Sequence, residues 1–172
     1  MSLSMYDVSV PVFRQILSGL TGVLDKAEAH CEEAGVDHKT WIDGKLAEDM
    51  FPFSFQVSLS IMHSAGAVAT LRGQERPLSM GLETFADCKA AVVAAIAELD
   101  AVTAGDLAGS DEKDVVFKSP GGTLPFVGRD YLLTFALPNF YFHASTAYDI
   151  LRHNGLAIGK RDFLGAVKVK AA

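Results

Sequence analysis

The sequence predicts an all-α chain in the main: an antiparallel four-helix bundle with a short β-hairpin inserted before the last helix. Three observations predict it. Apolar residues recur at three- and four-residue spacing in four separate stretches, and capping or breaking residues bound each stretch. Between the third and fourth stretches the pattern turns strand-like around Ser119-Pro120-Gly121-Gly122, a turn with glycines available for positive φ. Long amphipathic helices joined by modest connections pack as antiparallel neighbours around one core.

The first helix is expected over about 5–34. Ser4-Met5-Tyr6-Asp7 has capping-box spacing, and Val12, Ile16, Leu20, Val23 and Ala27 form the stripe behind it. Pro11 lies just inside that start, and Gly35 suits a terminator. Residues 36–50 read as a connection. The second helix, about 51–72, opens at Asp49-Met50-Phe51-Pro52, since proline suits a first turn. Its apolar face is wide, and Gln56, Ser60, His63, Thr70 and Gln74 gather on the other side, expected to face solvent. The third helix, about 84–102, starts at a second capping-box spacing, Thr84-Phe85-Ala86-Asp87, and its stripe is Phe85, Cys88, Val92, Ala95 and Leu99. The hairpin spans about 114–127. The last helix runs over about 129–154 to an Asn154-Gly155 cap, with the core seam Leu133, Leu137, Phe140, Ala144, Ala147 and Leu151. Residues 156–172 are left as a C-terminal tail, and the whole chain 1–172 reads as one domain.

Bulk properties narrow the function classes. A chain of 172 residues that is 49% hydrophobic and 21% charged can bury a core without staples. A net charge of −6 excludes nucleic acid as the expected partner, because phosphate backbones are gripped by clustered Lys and Arg. Lys160, Arg161, Lys168 and Lys170 are too scattered for that role. No apolar run has the ~20 residues a membrane span needs, and Met1 to Val10 lacks the layout of a signal peptide. The expected location is the cytoplasm, with no membrane partner. Cys31 and Cys88 fall on apolar stripes and read as small hydrophobes.

Several strings carry a resemblance. They are Asp49-Met50-Phe51-Pro52, the run Leu137-Pro138-Asn139-Phe140-Tyr141-Phe142-His143, the run from Thr146 through Asn154-Gly155, and Gly159-Lys160-Arg161-Asp162-Phe163-Leu164-Gly165. Together they resemble the bacterial domain-of-unknown-function family 1993, which is similar to the wider DinB/YfiT-like superfamily of four-helix bundles. That resemblance implies a bundle in which relatives often bind a divalent metal through three histidines, one from the second helix and two spaced by four on the last. Some relatives are metal-dependent thiol transferases. Here His143 matches the first position of the last-helix pair, while Ala147 stands at the second and has no ligand atom; Asn139, one turn earlier, offers only a weak amide. No metal and no other cofactor is therefore expected.

His143 lies on a flank roughly 80° from the seam, a position for a half-buried side chain lining a cleft or interface. It is the best catalytic candidate, as a group that titrates near neutrality. Tyr6, Asp49, Asn139 and Tyr148 are the polar-tipped residues expected to join it in a binding site, with Asp49 or Tyr148 as acid/base partners. His63, on the polar stripe, is expected to be exposed. Asp149 and His153 read as a surface pair, and His30 as packed near a helix end. Phe140, Tyr141, Phe142 and Tyr148 cannot all face one seam, so part of this surface is expected to form a homodimer interface. The function reads as uncharacterised and non-catalytic or small-ligand-binding; the alternative is a DinB/YfiT-like metal-dependent enzyme such as a thiol transferase, with His143 as ligand or acid/base.

Overall fold

Helices α1 (Val10–Ala34) and α5 (Phe85–Asp100) pack along one another. Arg14, near the start of α1, pairs with Asp100 at the end of α5, and Lys89, near the start of α5, pairs with Asp25 further along α1, so the two run antiparallel. These pairs are half-exposed and worth at most about 1 kcal/mol each; the apolar stripe between them, with Phe13, Leu17, Leu20, Leu24, Val92 and Leu99 buried, does the holding. In this computed structural model residues 3–119 and 121–170 are described; Pro120 of the expected turn lies outside them.

The second pair is built from interrupted helices. One segment runs as α-helix over Phe53–Ile61 (α3), a π-helical turn over Met62–Gly66, and α-helix again over Ala67–Leu71 (α4). The other runs as a short helix Gly128–Asp130 (α6), a π-helical turn over Tyr131–Ala136, and the helix Leu137–His153 (α7). The α3 and α7 segments pack face to face, and α3 also meets α5 while α7 meets α1. The chain is thus mostly helical, with one two-stranded antiparallel sheet.

That sheet is the expected hairpin. Strand β1 (Asp114–Ser119) pairs with β2 (Gly122–Val127), from Asp114 opposite Val127 to Ser119 opposite Gly122. Its inner side chains, Val115, Phe117 and Phe126, lie toward the helices. Phe117 and Phe126 pack their rings on Phe135, at 4.8 and 5.3 Å between centroids.

Four boundaries differ from expectation, each for an identifiable reason. The Ser4–Asp7 capping box forms, with Ser4 N donating to Asp7 Oδ2 at 2.9 Å and Asp7 N to Ser4 Oγ at 3.2 Å. It closes a turn, and α1 begins only at Val10, because Pro11 has no N–H to give the carbonyl four residues back. The 36–50 connection contains a one-turn helix α2 (His38–Ile42), which buries Trp41 and Ile42. The expected tail folds back as α8 (Lys160–Leu164) against α1.

The fourth concerns the seam of the last helix. Leu133 is exposed and Leu137 only half-buried, whereas Leu132 and Ala136 are buried; from Phe140 onward the expected seam holds. A π turn carries one residue more than an α turn, so it shifts the inward face by one position on its N-terminal side. Pro138 supplies the cause, since a proline inside a helix forces the carbonyl four residues back out of the regular ladder.

Candidate functional site

Both π turns belong to the segments that carry histidines inward. His63 sits within Met62–Gly66, and His143 lies two turns beyond Tyr131–Ala136. Single π turns recur at functional sites because they re-aim side chains without ending the helix. Here the result is a pair of imidazoles with ring centroids 5.6 Å apart and planes 11° from parallel. Both are buried, at 5% exposure for His63 and 9% for His143.

This corrects the expectation that the polar stripe of the second helix faces water. Gln56, Ser60 and His63 are all buried against the last helical segment; Thr70 is half-buried and only Gln74 is exposed. The helix can bury this stripe because its hydroxyls satisfy themselves. Ser60 and Ser64 donate to the carbonyls of Gln56 and Ser60, at 2.8 and 2.7 Å, so a serine-rich face carries few unmet polar groups into the core.

Gln56 is spent on both sides. Its Nε2 donates to the Phe51 carbonyl at 3.0 Å, and its Oε1 lies 2.8 Å from Nδ1 of His143. His63 has aromatic rather than polar neighbours: Phe117 at 5.8 Å and Phe135 at 5.4 Å between ring centroids. Its Nδ1 is sealed from solvent with no hydrogen-bond partner among the described residues. The outer edge of the pair is flanked by Phe142, whose ring stands edge-on to His143 at 5.2 Å.

Burial sets the charge state. Desolvation pushes the pKa of His143 down to about 4, and desolvation together with the neighbouring His143 pushes His63 down to about 4. Both rings are neutral at pH 7. No carboxylate is hydrogen-bonded to either ring among the described residues, so neither is held as a cation or polarised as a catalytic base.

The other expected site residues lie elsewhere. Asn139 turns back on its own helix, donating to the Phe135 carbonyl at 2.8 Å. The Tyr148 hydroxyl donates to the Ile158 carbonyl at 3.4 Å, and its ring packs on Phe163. Tyr6 is half-buried in the N-terminal turn, beside a 540 Å³ surface cavity lined also by Leu107, Arg129 and Leu133. Asp49 is exposed on the connection before α3. No hydrogen bond or ring contact joins Tyr6, Asp49 or Tyr148 to His143 among the described residues. His143 was legible as a site residue from the sequence; its two partners, His63 and Gln56, were not. The available signal was the i, i+4, i+7 spacing of Gln56, Ser60 and His63 on a helix that is otherwise apolar nearly all round.

The three-histidine metal site that the resemblance implies needs a donor at each of three positions. His63 and His143 fit two of its positions. Ala147, at the third, is fully buried, and no cluster of three His, Cys, Asp or Glu suited to a metal occurs among the described residues. Two imidazoles fall one short of the three protein ligands that an open catalytic metal site uses. The residues present do not fit that group. Cys31 and Cys88 are buried thiols, Cys88 pushed up to about 12 mainly by desolvation, which keeps it an unreactive thiol. No helix of the described residues is long and apolar enough to cross a membrane.

Comparison with known proteins agrees with this architecture. The chain is similar to a crystal structure of a DinB family member from Shewanella denitrificans, at 33% identity over 98% of this chain and 96% of that one, with a TM-score of 0.87. No curated protein matches it. A family model described as Domain of unknown function (DUF1993) matches residues 5–164. The chain belongs to the DUF1993 family.

Proposed function

We propose that the chain is a four-helix-bundle protein of the DinB type that binds a small molecule at the His63–His143 pair and does not transform it. One observation carries the reading: two neutral imidazoles lie side by side in an aromatic surround, and a buried ring nitrogen of His63 lacks a partner. An unmet buried polar atom costs about 1–3 kcal/mol, so a site that retains one calls for an explanation. Binding at the pair's open Nε2 edges is one: contacts to a molecule held there would offset the cost of the Nδ1 that stays unpaired beneath it. The absence of a hydrogen-bonded carboxylate supports binding over acid/base chemistry.

The test follows the ring signals of His63 and His143 by NMR as phenol, a small aromatic probe, is added. Movement in the wild type and its loss in His143→Phe supports the reading. The competing reading, a metal-dependent enzyme such as a thiol transferase, is favoured by the second-helix and last-helix origins of the two histidines. Stoichiometric uptake of zinc that disappears in His63→Ala and His143→Ala would establish that reading instead.

Self-association through the outer face of α7 belongs to the same proposal. Tyr141 and Phe142 are 40% and 57% exposed there, and aromatics are enriched in interface cores. Sedimentation should give a two-chain mass that falls to one chain in Phe142→Glu; a one-chain mass for the wild type removes this part.

A further inference from the structure

The contact between Gln56 and His143 determines which atom the site offers to a ligand. The Phe51 carbonyl can only accept, so the end of the Gln56 amide that faces it at 3.0 Å must be the NH₂ group. The other end, 2.8 Å from His143 Nδ1, is then the carbonyl oxygen, which also only accepts. Two acceptors do not approach to that distance, so Nδ1 carries the proton. A neutral ring has one N–H, and the lone pair of His143 is left on Nε2. Among the described residues no protein group bonds that Nε2, and it is not among the sealed atoms. For His63 the sealed nitrogen is Nδ1. Orphaned buried N–H groups are rarer than orphaned acceptors, which puts the proton of His63 on Nε2. His143 thus keeps an uncharged acceptor and His63 an uncharged donor, with Phe117 packed on the ring of His63 and Phe142 edge-on to that of His143.

We propose that Gln56 is a positioning residue that holds His143 as its Nδ1-protonated tautomer, and that the ligand is a neutral molecule whose hydroxyl donates to His143 Nε2. The ligand half rests on the binding reading above; the tautomer half does not. A hydroxyl donates to that lone pair without bringing a charge. A carboxylate or phosphate would bring two or more acceptors against a bare lone pair with no cation in the hydrogen-bonded set, so anions are disfavoured.

Protein labelled with ¹⁵N and ¹³C in histidine, observed at pH 7 without ligand, tests the first half. The wild type should show His143 with Nδ1 protonated and Nε2 bare. Gln56→Leu should move the ring toward the Nε2-protonated form, and Gln56→Glu, which sets a charged acceptor at the same place, should keep Nδ1 protonated and raise the pKa of the ring. A wild-type ring already protonated on Nε2, or one unmoved by Gln56→Leu, overturns the assignment. Should Gln56→Leu fail to fold, the wild-type tautomer and the raised ring pKa in Gln56→Glu decide. Titration with phenol and with benzoate tests the second half: phenol should shift the Nε2 signal, with benzoate about tenfold or more weaker. Equal or tighter benzoate binding overturns the hydroxyl class. If neither compound moves the rings while the tautomer stands, the binding reading fails and the role of Gln56 survives.

Discussion

His63 and His143 are held neutral by burial, and this links the site to stability through protons. The unfolded chain takes up protons on histidine near pH 6.5, whereas the folded chain does so only near pH 4. Between those values the unfolded state binds more protons, so stability must fall as the pH drops. Above pH 6.5 the contribution is complete, and below about 4 it has been lost. The size is on the order of 3 kcal/mol per ring. Melting temperatures should therefore decline from pH 6.5 to 4, and His63→Phe should flatten the slope; a wild-type melting temperature that stays level over that range would contradict it. Gln56→Leu should cost about 1–3 kcal/mol at neutral pH, since it strips partners from both the His143 N–H and the Phe51 carbonyl. Denaturant midpoints would show it.

At the scale of elements, caps, stripes and hairpin were legible because they follow from local chemistry. The clearest case is Thr84, whose hydroxyl accepts from Asp87 N at 3.0 Å while Asp87 Oδ2 accepts from Thr84 N at 3.0 Å. Thr84→Ala should destabilise the fold by about 1 kcal/mol, measurable by chemical denaturation. The candidate site was only half legible. His143 stood out on its helix, but its partners depended on which side of α3 meets α7, a tertiary fact. The Gln56–Ser60–His63 stripe resembles a solvated face as long as its hydroxyls are assumed to need water. The π turn before α7 was illegible for a related reason: Pro138 signals a break in the ladder, but a kink, a helix end and a π turn are all answers to it; the Met62–Gly66 turn carries no such signal. The shift from Leu133 and Leu137 to Leu132 and Ala136 follows from which answer the packing selects.

Across the whole molecule, the C-terminal segment closes on the first helix through a contact that only glycine permits. A Cβ on Gly19 would meet the carbonyl oxygens of Phe163 and Asp162 at 2.4 and 2.9 Å. Gln15 Nε2 donating to Leu164 O at 3.0 Å and the Lys26–Asp162 pair at 2.6 Å hold the same junction. Gly22, one turn further on, has open space instead. Gly19→Ala should lift α8 from α1, raising amide exchange across residues 159–165 and lowering stability by about 1–3 kcal/mol. Gly22→Ala should leave that exchange unchanged and add roughly 0.5–1 kcal/mol through helix propensity.

The hairpin is pinned by an even closer approach. Gly128 N donates to Lys113 O at 2.8 Å, and a side chain at Gly128 would overlap Ser110 O, 1.9 Å away. The root of the hairpin is clamped to the start of the last helical segment, so Phe117 is not carried on a swinging arm. For the binding proposed at the pair, entry would then fall to rotation of single aromatic rings rather than to movement of the hairpin. Exchange at the pair should be fast on the scale of domain motions, set by rotamer hops rather than by the microsecond-to-millisecond opening of a lid. A molecule bound as proposed would be sampled continuously, its occupancy tracking concentration rather than being trapped.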